Sequence, residues 1–359
     1  MSTVRTSARR MHKYLSLAAA IFWLLQGLSG VAISFRAEID DWLLGGRPSP
    51  TSVQALGERI EQAERSGLEV SGMWATGGIP GQYDIYVSGP DGDRTIRVDG
   101  SGRVLRDRAD AVKFSDGAIF ETLTRFHKSL LLGSTGTIIV GVSGVLLLTN
   151  IVLGLTAAWP AGRPWRALTT RPRGPTAARL AGWHRLLGLW AGIPAAVLVG
   201  AGIQLAFIDT VETAVGGELK EPAYAPDGPR RITPGDALAR ALERYPEAEL
   251  TALSMPGEQA PWYRVRLRAD GEIPRQFGAT TVWISAADGT TIGDHDARSS
   301  APGRRLVEWL YPIHTGQIGS LAGRMLNLAI GIWLVTMICL GATLWLRRAR
   351  RREVRGNPR

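Results

Sequence analysis

His12-Lys-Tyr-Leu-Ser-Leu-Ala-Ala-Ala-Ile21, carried on to Gly30-Val-Ala-Ile-Ser-Phe35, is an apolar run with one imidazole at its mouth, and the chain builds it a second time. At a shift of 172 residues it returns as His184-Arg-Leu-Leu-Gly-Leu-Trp-Ala-Gly-Ile193 and Gly202-Ile-Gln-Leu-Ala-Phe207. A second pair of segments repeats at a shift of 187. Glu121-x-Leu123-x-x-x-His127 returns as Glu308-x-Leu310-x-x-x-His314, and Gly136, Gly144 and Gly154 return as Gly323, Gly331 and Gly341. Periods this long exclude a solenoid and fit repeated membrane units. The expected fold is a mainly α membrane protein, with a four-helix transmembrane bundle made from two repeated hairpins.

Composition agrees once the chain is divided. Among its 359 residues, 45% are hydrophobic, and the mean hydropathy of +0.01 averages unlike parts. Leu15–Phe35, Ser129–Trp159, Leu186–Ile208 and Met325–Leu346 contain no Asp, Glu, Lys or Arg, and each is long enough for the roughly 20 apolar residues of a bilayer crossing. The net charge of +10 would suggest a nucleic-acid partner if it were spread over a soluble domain, but its location excludes that reading. Residues 1–13 carry four basic residues, 160–185 carry six, and 347–359 carry seven against one Glu. The long loops are acidic, with 11 basic against 15 acidic residues in 36–126 and 12 against 16 in 208–320. By the positive-inside rule both termini and the 160–185 loop are cytoplasmic and the long loops face outward. The apolar run of the first span is long for a cleaved signal and no Ala-x-Ala site follows closely, so a retained anchor is expected.

The expected order is a cytoplasmic N-terminus and first span (1–35), a first extracytoplasmic α+β module (36–126), the second span (127–159), a cytoplasmic loop (160–185), the third span (186–208), a second module (209–320), the fourth span (321–346) and a basic tail (347–359). In the second module, Thr233-Pro-Gly-Asp caps an amphipathic helix running to about Tyr245. Strands follow at Glu249–Ser254, Trp262–Arg268 and Thr280–Ser285, with a turn at Asp288-Gly289 before Thr290-Thr-Ile-Gly. The first module has a helix near Ser52–Arg65 and strands at Tyr83–Val87, Thr95–Val98 and Arg103-Val-Leu. Each module is expected to be one helix on its own small antiparallel sheet.

Four of the five histidines fall at span ends, and topology sorts them by side: His12 and His184 at the cytoplasmic face, His127 and His314 at the outer face. Haem iron takes an axial ligand on each side of the ring, and two helices that each offer an imidazole at one depth can clamp it. Glycines in the spans suit a flat macrocycle and suit close helix packing equally. The four histidines are therefore candidate axial ligands to two b-type haems. His295 has no counterpart in the first unit and is expected to be an exposed loop residue. Glu121 and Glu308 could orient the outer imidazoles or cap helices. Cys339 is the only cysteine and lies in a span, which excludes a disulfide framework, covalent haem and iron–sulfur sites. There is no G-x-G-x-x-G after a strand and no P-loop, so an electron donor must come from outside the chain: a quinol or a cytoplasmic reductase.

The chain resembles the PepSY-associated transmembrane proteins, often described as iron-regulated membrane proteins, which include siderophore-iron reductases. The resemblance rests on His12-Lys-x-Leu with Gly30 and Phe35, Arg125-Phe-His127-Lys-x-Leu-Leu-x-Gly133, Trp183-His184-Arg-x-Leu-Gly188-Leu-Trp-Ala, His314-Thr-Gly316, Gly323-Arg324, and the PepSY-like stretch from Ile232 to Asp296. It implies two haems b, ligated by His12, His184, His127 and His314, and reduction of a ferric siderophore or other iron chelate on the outer side, with lipid as the surrounding partner. Two other readings stand beside it. PepSY modules are also thought to bind or inhibit extracytoplasmic peptidases, which would make the histidines structural. A metal or proton relay is the weakest, because the spans lack ionisable groups at mid-depth.

Overall fold

The computed structural model describes residues 3–110, 114, 118–160, 162, 164–226 and 228–356. Ala161 and Arg163 of the basic loop, and residues 357–359 of the basic tail, lie outside the described residues. In chain order the helices are α1 (Thr3–Ile33), α2 (Arg36–Leu43), α3 (Val53–Arg65), α4 (Ala118–Ser129), α5 (Gly133–Ala158), α6 (Pro164–Thr169), α7 (Thr176–Ala206), α8 (Ile208–Val215), α9 (Pro234–Arg244), α10 (Pro302–Thr315) and α11 (Ser320–Gly356). The strands are β1 (Glu69–Ala75), β2 (Gln82–Gly89), β3 (Gly92–Asp99), β4 (Val104–Ala109), β5 (Glu249–Ser254), β6 (Trp262–Arg268), β7 (Thr280–Ser285) and β8 (Thr291–His295). The chain divides into two compact units.

The first unit comprises Met1–Ser34, Leu123–Phe207 and Ile313–Arg359. Its long helices α1, α5, α7 and α11 are each long and apolar enough to cross a membrane. Each packs on two neighbours, α1 on α5 and α11, and α7 on the same two. Ile138, Val142, Val145 and Val152 of α5 remain exposed, as expected where the surrounding solvent is lipid rather than water. Two polar side chains find partners inside: the Trp23 indole N–H donates to Ser143 Oγ at 3.0 Å and the Asn150 amide N–H to Ser16 Oγ at 2.9 Å. Helices α1 and α7 start well before the charge-free runs, so His12 and His184 lie inside helices rather than at their mouths.

Ahead of α5 and α11 the chain turns a sharp corner. Leu130 (φ 53°), Leu131 (φ 63°) and Ser320 (φ 51°) adopt the left-handed backbone that side chains disfavour. Gly136 is what lets the first corner close, since a Cβ there would lie 1.6 Å from the Ser129 carbonyl oxygen. At the second corner a Cβ on Gly316 would lie 2.5 Å from the Gly323 oxygen. The outer histidines therefore ride on the short helices α4 and α10, before the span-length helices begin.

The second unit comprises Phe35–Thr122 and Ile208–Pro312. Two separate small sheets are expected from the sequence; the strands instead form one eight-stranded antiparallel sheet in the order β4-β3-β2-β1-β5-β6-β7-β8. The joint is β1 against β5, with Gly72 opposite Ser254, Met73 opposite Leu253 and Trp74 opposite Ala252. The protein is thus not mainly α outside its spans. Strand β1 escapes a pattern reading because a bulge between Val70 and Gly72 breaks its alternation. Gly72 is required there, since a Cβ would come within 2.4 Å of the Leu253 carbonyl oxygen.

Period-two alternation sorts the faces of this sheet. On β6, Tyr263, Val265 and Leu267 are buried while Arg264, Arg266 and Arg268 are partly exposed. The buried side joins one core with Met73, Ile85, Val98, Leu253 and Val282, covered by Leu56 and Ile60 of α3 and by Leu238 and Ala241 of α9. Both covering helices are capped as their sequences dictate, by Ser52 accepting from the Ala55 N–H and Thr233 from the Asp236 N–H. On the polar side Arg97 of β3 donates to Asp40 at 2.8 Å, Asp41 at 2.7 Å and Asp84 at 2.7 Å, which holds α2 to the sheet.

The α3–α9 contact is close enough to exclude a methyl group on one side only. A Cβ on Gly57 would lie 2.5 Å from the Gly235 Cα, whereas the nearest atom to a Cβ on Gly235 is 3.5 Å away. Alanine in a helix normally stabilises by up to ~1 kcal/mol relative to glycine. Gly57→Ala should instead destabilise the second unit by about 1–3 kcal/mol and Gly235→Ala should be near neutral, as read by thermal unfolding of the purified protein.

Candidate functional site

The four span-associated histidines meet in two pairs within the first unit. The ring centroids of His12 and His184 are 6.2 Å apart, and those of His127 and His314 are 6.3 Å apart. The partners come from different helices in each case: α1 and α7 for the first pair, α4 and α10 for the second.

Each ring lies against a glycine of a third helix. The Cε1 atom of His127 is 3.0 Å from where a Gly30 Cβ would stand, and that of His314 is 2.7 Å from a Gly202 Cβ. His12 meets Gly154 at 3.0 Å and His184 meets Gly341 at 3.6 Å. These glycines are the ones that the two sequence shifts relate, Gly30 to Gly202 and Gly154 to Gly341.

With no Cβ in the way, the imidazole settles on the helix backbone itself. Nδ1 of His12 bonds the Asn150 carbonyl oxygen at 2.9 Å, Nδ1 of His314 bonds that of Leu198 at 3.0 Å, and Nδ1 of His127 bonds that of Gln26 at 3.2 Å. In every case the acceptor sits four residues before the glycine. That carbonyl accepts the helix hydrogen bond of the glycine and has a second lone pair to spare. The Ser29 hydroxyl also reaches His127 Nδ1, at 3.2 Å. A carbonyl can only accept, so the proton is on Nδ1, and Nε2 is left as a bare lone pair. No Nε2 of the four has a hydrogen-bond partner among the described residues. His184 differs in that its buried Nδ1 has no hydrogen-bond partner.

This is the disposition of a metal-ligating histidine, oriented through one nitrogen and open at the other. Two imidazoles bound through Nε2 on opposite sides of one metal, with bonds of about 2 Å, have centroids about 6.3 Å apart. Both pairs match that spacing. Among the described residues no group of three or more His, Cys, Asp or Glu gathers to hold a bare metal ion. A porphyrin supplies four nitrogens itself and asks the protein for two, so each histidine pair offers the number of protein ligands that a haem would need.

The family model for the PepSY-associated TM region matches residues 9–348. The chain belongs to the PepSY-associated transmembrane family. A similar protein, the uncharacterized protein PA4219 of Pseudomonas aeruginosa, is 28% identical over an alignment of 261 residues that covers 64% of this chain and 63% of that protein. The chain thus spans less than two thirds of that relative's length. This PepSY-family chain is a membrane protein with four apolar helices of spanning length.

The remaining histidine departs from expectation. His295 is not an exposed loop residue: it ends β8, its side chain is 18% accessible, and its Nε2 lies 2.9 Å from Glu308 Oε1. Glu308 is fully buried and also accepts from Ser300 Oγ at 2.8 Å and Arg304 Nε at 3.0 Å. The carboxylate that recurs before each outer histidine therefore serves the second unit: Glu308 holds this cluster, and Glu121 pairs with Arg108. Nothing in the local sequence marks His295 as Glu308's partner, since the pair forms between a strand and a helix.

Burial alone would raise the pKa of Glu308, but the hydrogen bonds from His295, Ser300 and Arg304 hold it below the ordinary glutamate value of 4.5. A depressed carboxylate stabilises the fold fully above the unfolded value, and that contribution disappears as pH falls through the lower folded value. Glu308→Gln should cost about 3 kcal/mol near neutral pH and make the loss of thermal stability below pH 4.5 shallower than in the parent protein, as followed by unfolding temperature against pH.

Proposed function

We propose that the protein is a di-haem b transmembrane electron carrier of the bacterial inner membrane, with both termini cytoplasmic, that reduces ferric siderophores or other ferric chelates on the outer side. The bundle is read as two copies of one hairpin. The observation that carries the proposal is the pairing of four carbonyl- or glycine-seated imidazoles at centroid spacings of 6.2 and 6.3 Å. His12 and His184 hold the inner haem, His127 and His314 the outer one. A haem bound by two imidazoles supplies a one-electron carrier with no open coordination position. The chain supplies the rest. The Asn150, Gln26 and Leu198 carbonyls fix three of the rings in the ligating tautomer, and the charge-free helix faces keep water from the space between the two layers. A quinol or a cytoplasmic reductase provides each electron on the inner side, and the ferric ion of the external chelate takes it up and leaves as the more weakly held ferrous ion.

The detergent-purified protein should show sharp α and β bands on reduction, as six-coordinate bis-imidazole iron does. His127→Ala and His314→Ala should each remove about half of the α-band absorbance per polypeptide and abolish reduction of an external ferric chelate by right-side-out vesicles. Full haem retention in all four single alanine variants defeats the ligand assignment, and a colourless, folded protein favours the peptidase-binding reading.

Two glycines two residues apart give a finer test. A Cβ on Gly202 would press on His314 at 2.7 Å, while one on Gly200 meets nothing within 4 Å. Gly202→Ala should therefore weaken or shift the outer haem signal, and Gly200→Ala should leave it unchanged.

A further inference from the structure

At the end of the first unit where α5 leaves and α7 enters, a cavity of about 530 Å³ opens among Arg166, Arg173, Arg185, Pro160, Thr170 and Leu186. The three guanidinium groups come from three places: α6, the segment before α7, and α7 itself. Among the described residues no aspartate or glutamate lines the cavity. Arg185 Nε donates to the Ala158 carbonyl oxygen at 3.0 Å, which fixes that side chain without neutralising it. Arg166 and Arg173 have no carboxylate partner among the described residues. Helix α6 is tied down over the site, because the Trp190 indole N–H on α7 donates to the Leu168 carbonyl oxygen at 2.9 Å.

Three positive charges in a concave site without a counter-charge repel one another unless an anion joins them. Guanidinium groups match phosphate oxygens in geometry as well as charge. The surroundings identify the source of the phosphate. Leu186 at the rim begins the uncharged stretch of α7, and from there Trp190 (62% exposed), Ile193 (58%) and Val197 (57%) form an outward apolar ladder along that helix. Val152 (51%) on α5 and Trp159 (53%) just past its end do the same. A free phosphate has no use for such a surface; an acyl chain lies on it.

We propose that this cavity binds the headgroup of an anionic phospholipid, with the phosphate among Arg166, Arg173 and Arg185 and the acyl chains along the exposed faces of α5 and α7. No histidine lines the cavity, although Arg185 directly follows His184.

The test is native mass spectrometry of the full-length, delipidated protein in detergent, titrated in turn with phosphatidylglycerol, phosphatidylcholine and inorganic phosphate. Phosphatidylglycerol should bind more tightly than phosphatidylcholine. R166Q, R173Q and R185Q should each weaken phosphatidylglycerol binding roughly fivefold, about the contribution of one basic residue at an anionic membrane surface, while leaving phosphatidylcholine unaffected. The charge-preserving triple variant R166K/R173K/R185K should keep most of the preference, and an unchanged unfolding temperature shows that the glutamine variants are folded. Equal binding of the two lipids, or an undiminished preference in the folded triple glutamine variant, overturns the proposal. So does inorganic phosphate binding as tightly as the lipid, which would make the site one for free phosphate.

Discussion

An imidazole can rest on a helix backbone only where that helix has no side chain, and the rest of the bundle follows from this. A glycine at one position exposes the carbonyl four residues earlier, and the histidine of a neighbouring helix occupies the gap and bonds to it. Gly30 with the Gln26 carbonyl, Gly154 with that of Asn150, and Gly202 with that of Leu198 are three instances of one device. Each glycine in a helix interior costs roughly 0.5–1 kcal/mol relative to alanine, and the left-handed residues at the corners before α5 and α11 add strain. The ring positions are thus maintained against local backbone preference.

The second unit is stabilised by different means. Its sheet buries one continuous apolar face under α3 and α9 and closes the other with ion pairs, so each half contributes strands that the other needs at the β1–β5 joint. Arg97 with three aspartates and Glu308 with His295, Ser300 and Arg304 are buried clusters with matched hydrogen bonds. Clusters of this kind specify geometry more than they add net stability.

What was legible in the sequence had strong periodicity or charge contrast. The four apolar helices, the strands at Glu249–Ser254, Trp262–Arg268 and Thr280–Ser285, the helix near Ser52–Arg65 and the Thr233 cap coincide with the structure. The pairing of His12 with His184 and of His127 with His314 was legible because each couple falls at equivalent span ends. What was hidden depended on contacts distant in sequence. The single sheet is set by β1 meeting β5 across some 180 residues, and the bulge at Gly72 erased the alternation that would have announced β1. The partnership of His295 with Glu308 and the seating of each imidazole on a backbone carbonyl leave no residue-type signal. The glycines four positions beyond those carbonyls were visible as repeats, but their reason was not, because macrocycle clearance and helix packing call for the same residue.

The most direct measurement is haem stoichiometry by pyridine haemochrome assay on the folded, detergent-purified full-length chain. Two haems b per polypeptide is the expected value, one for each imidazole pair. A folded protein that carries no haem, even when expressed with haem in excess, contradicts the assignment of these histidines.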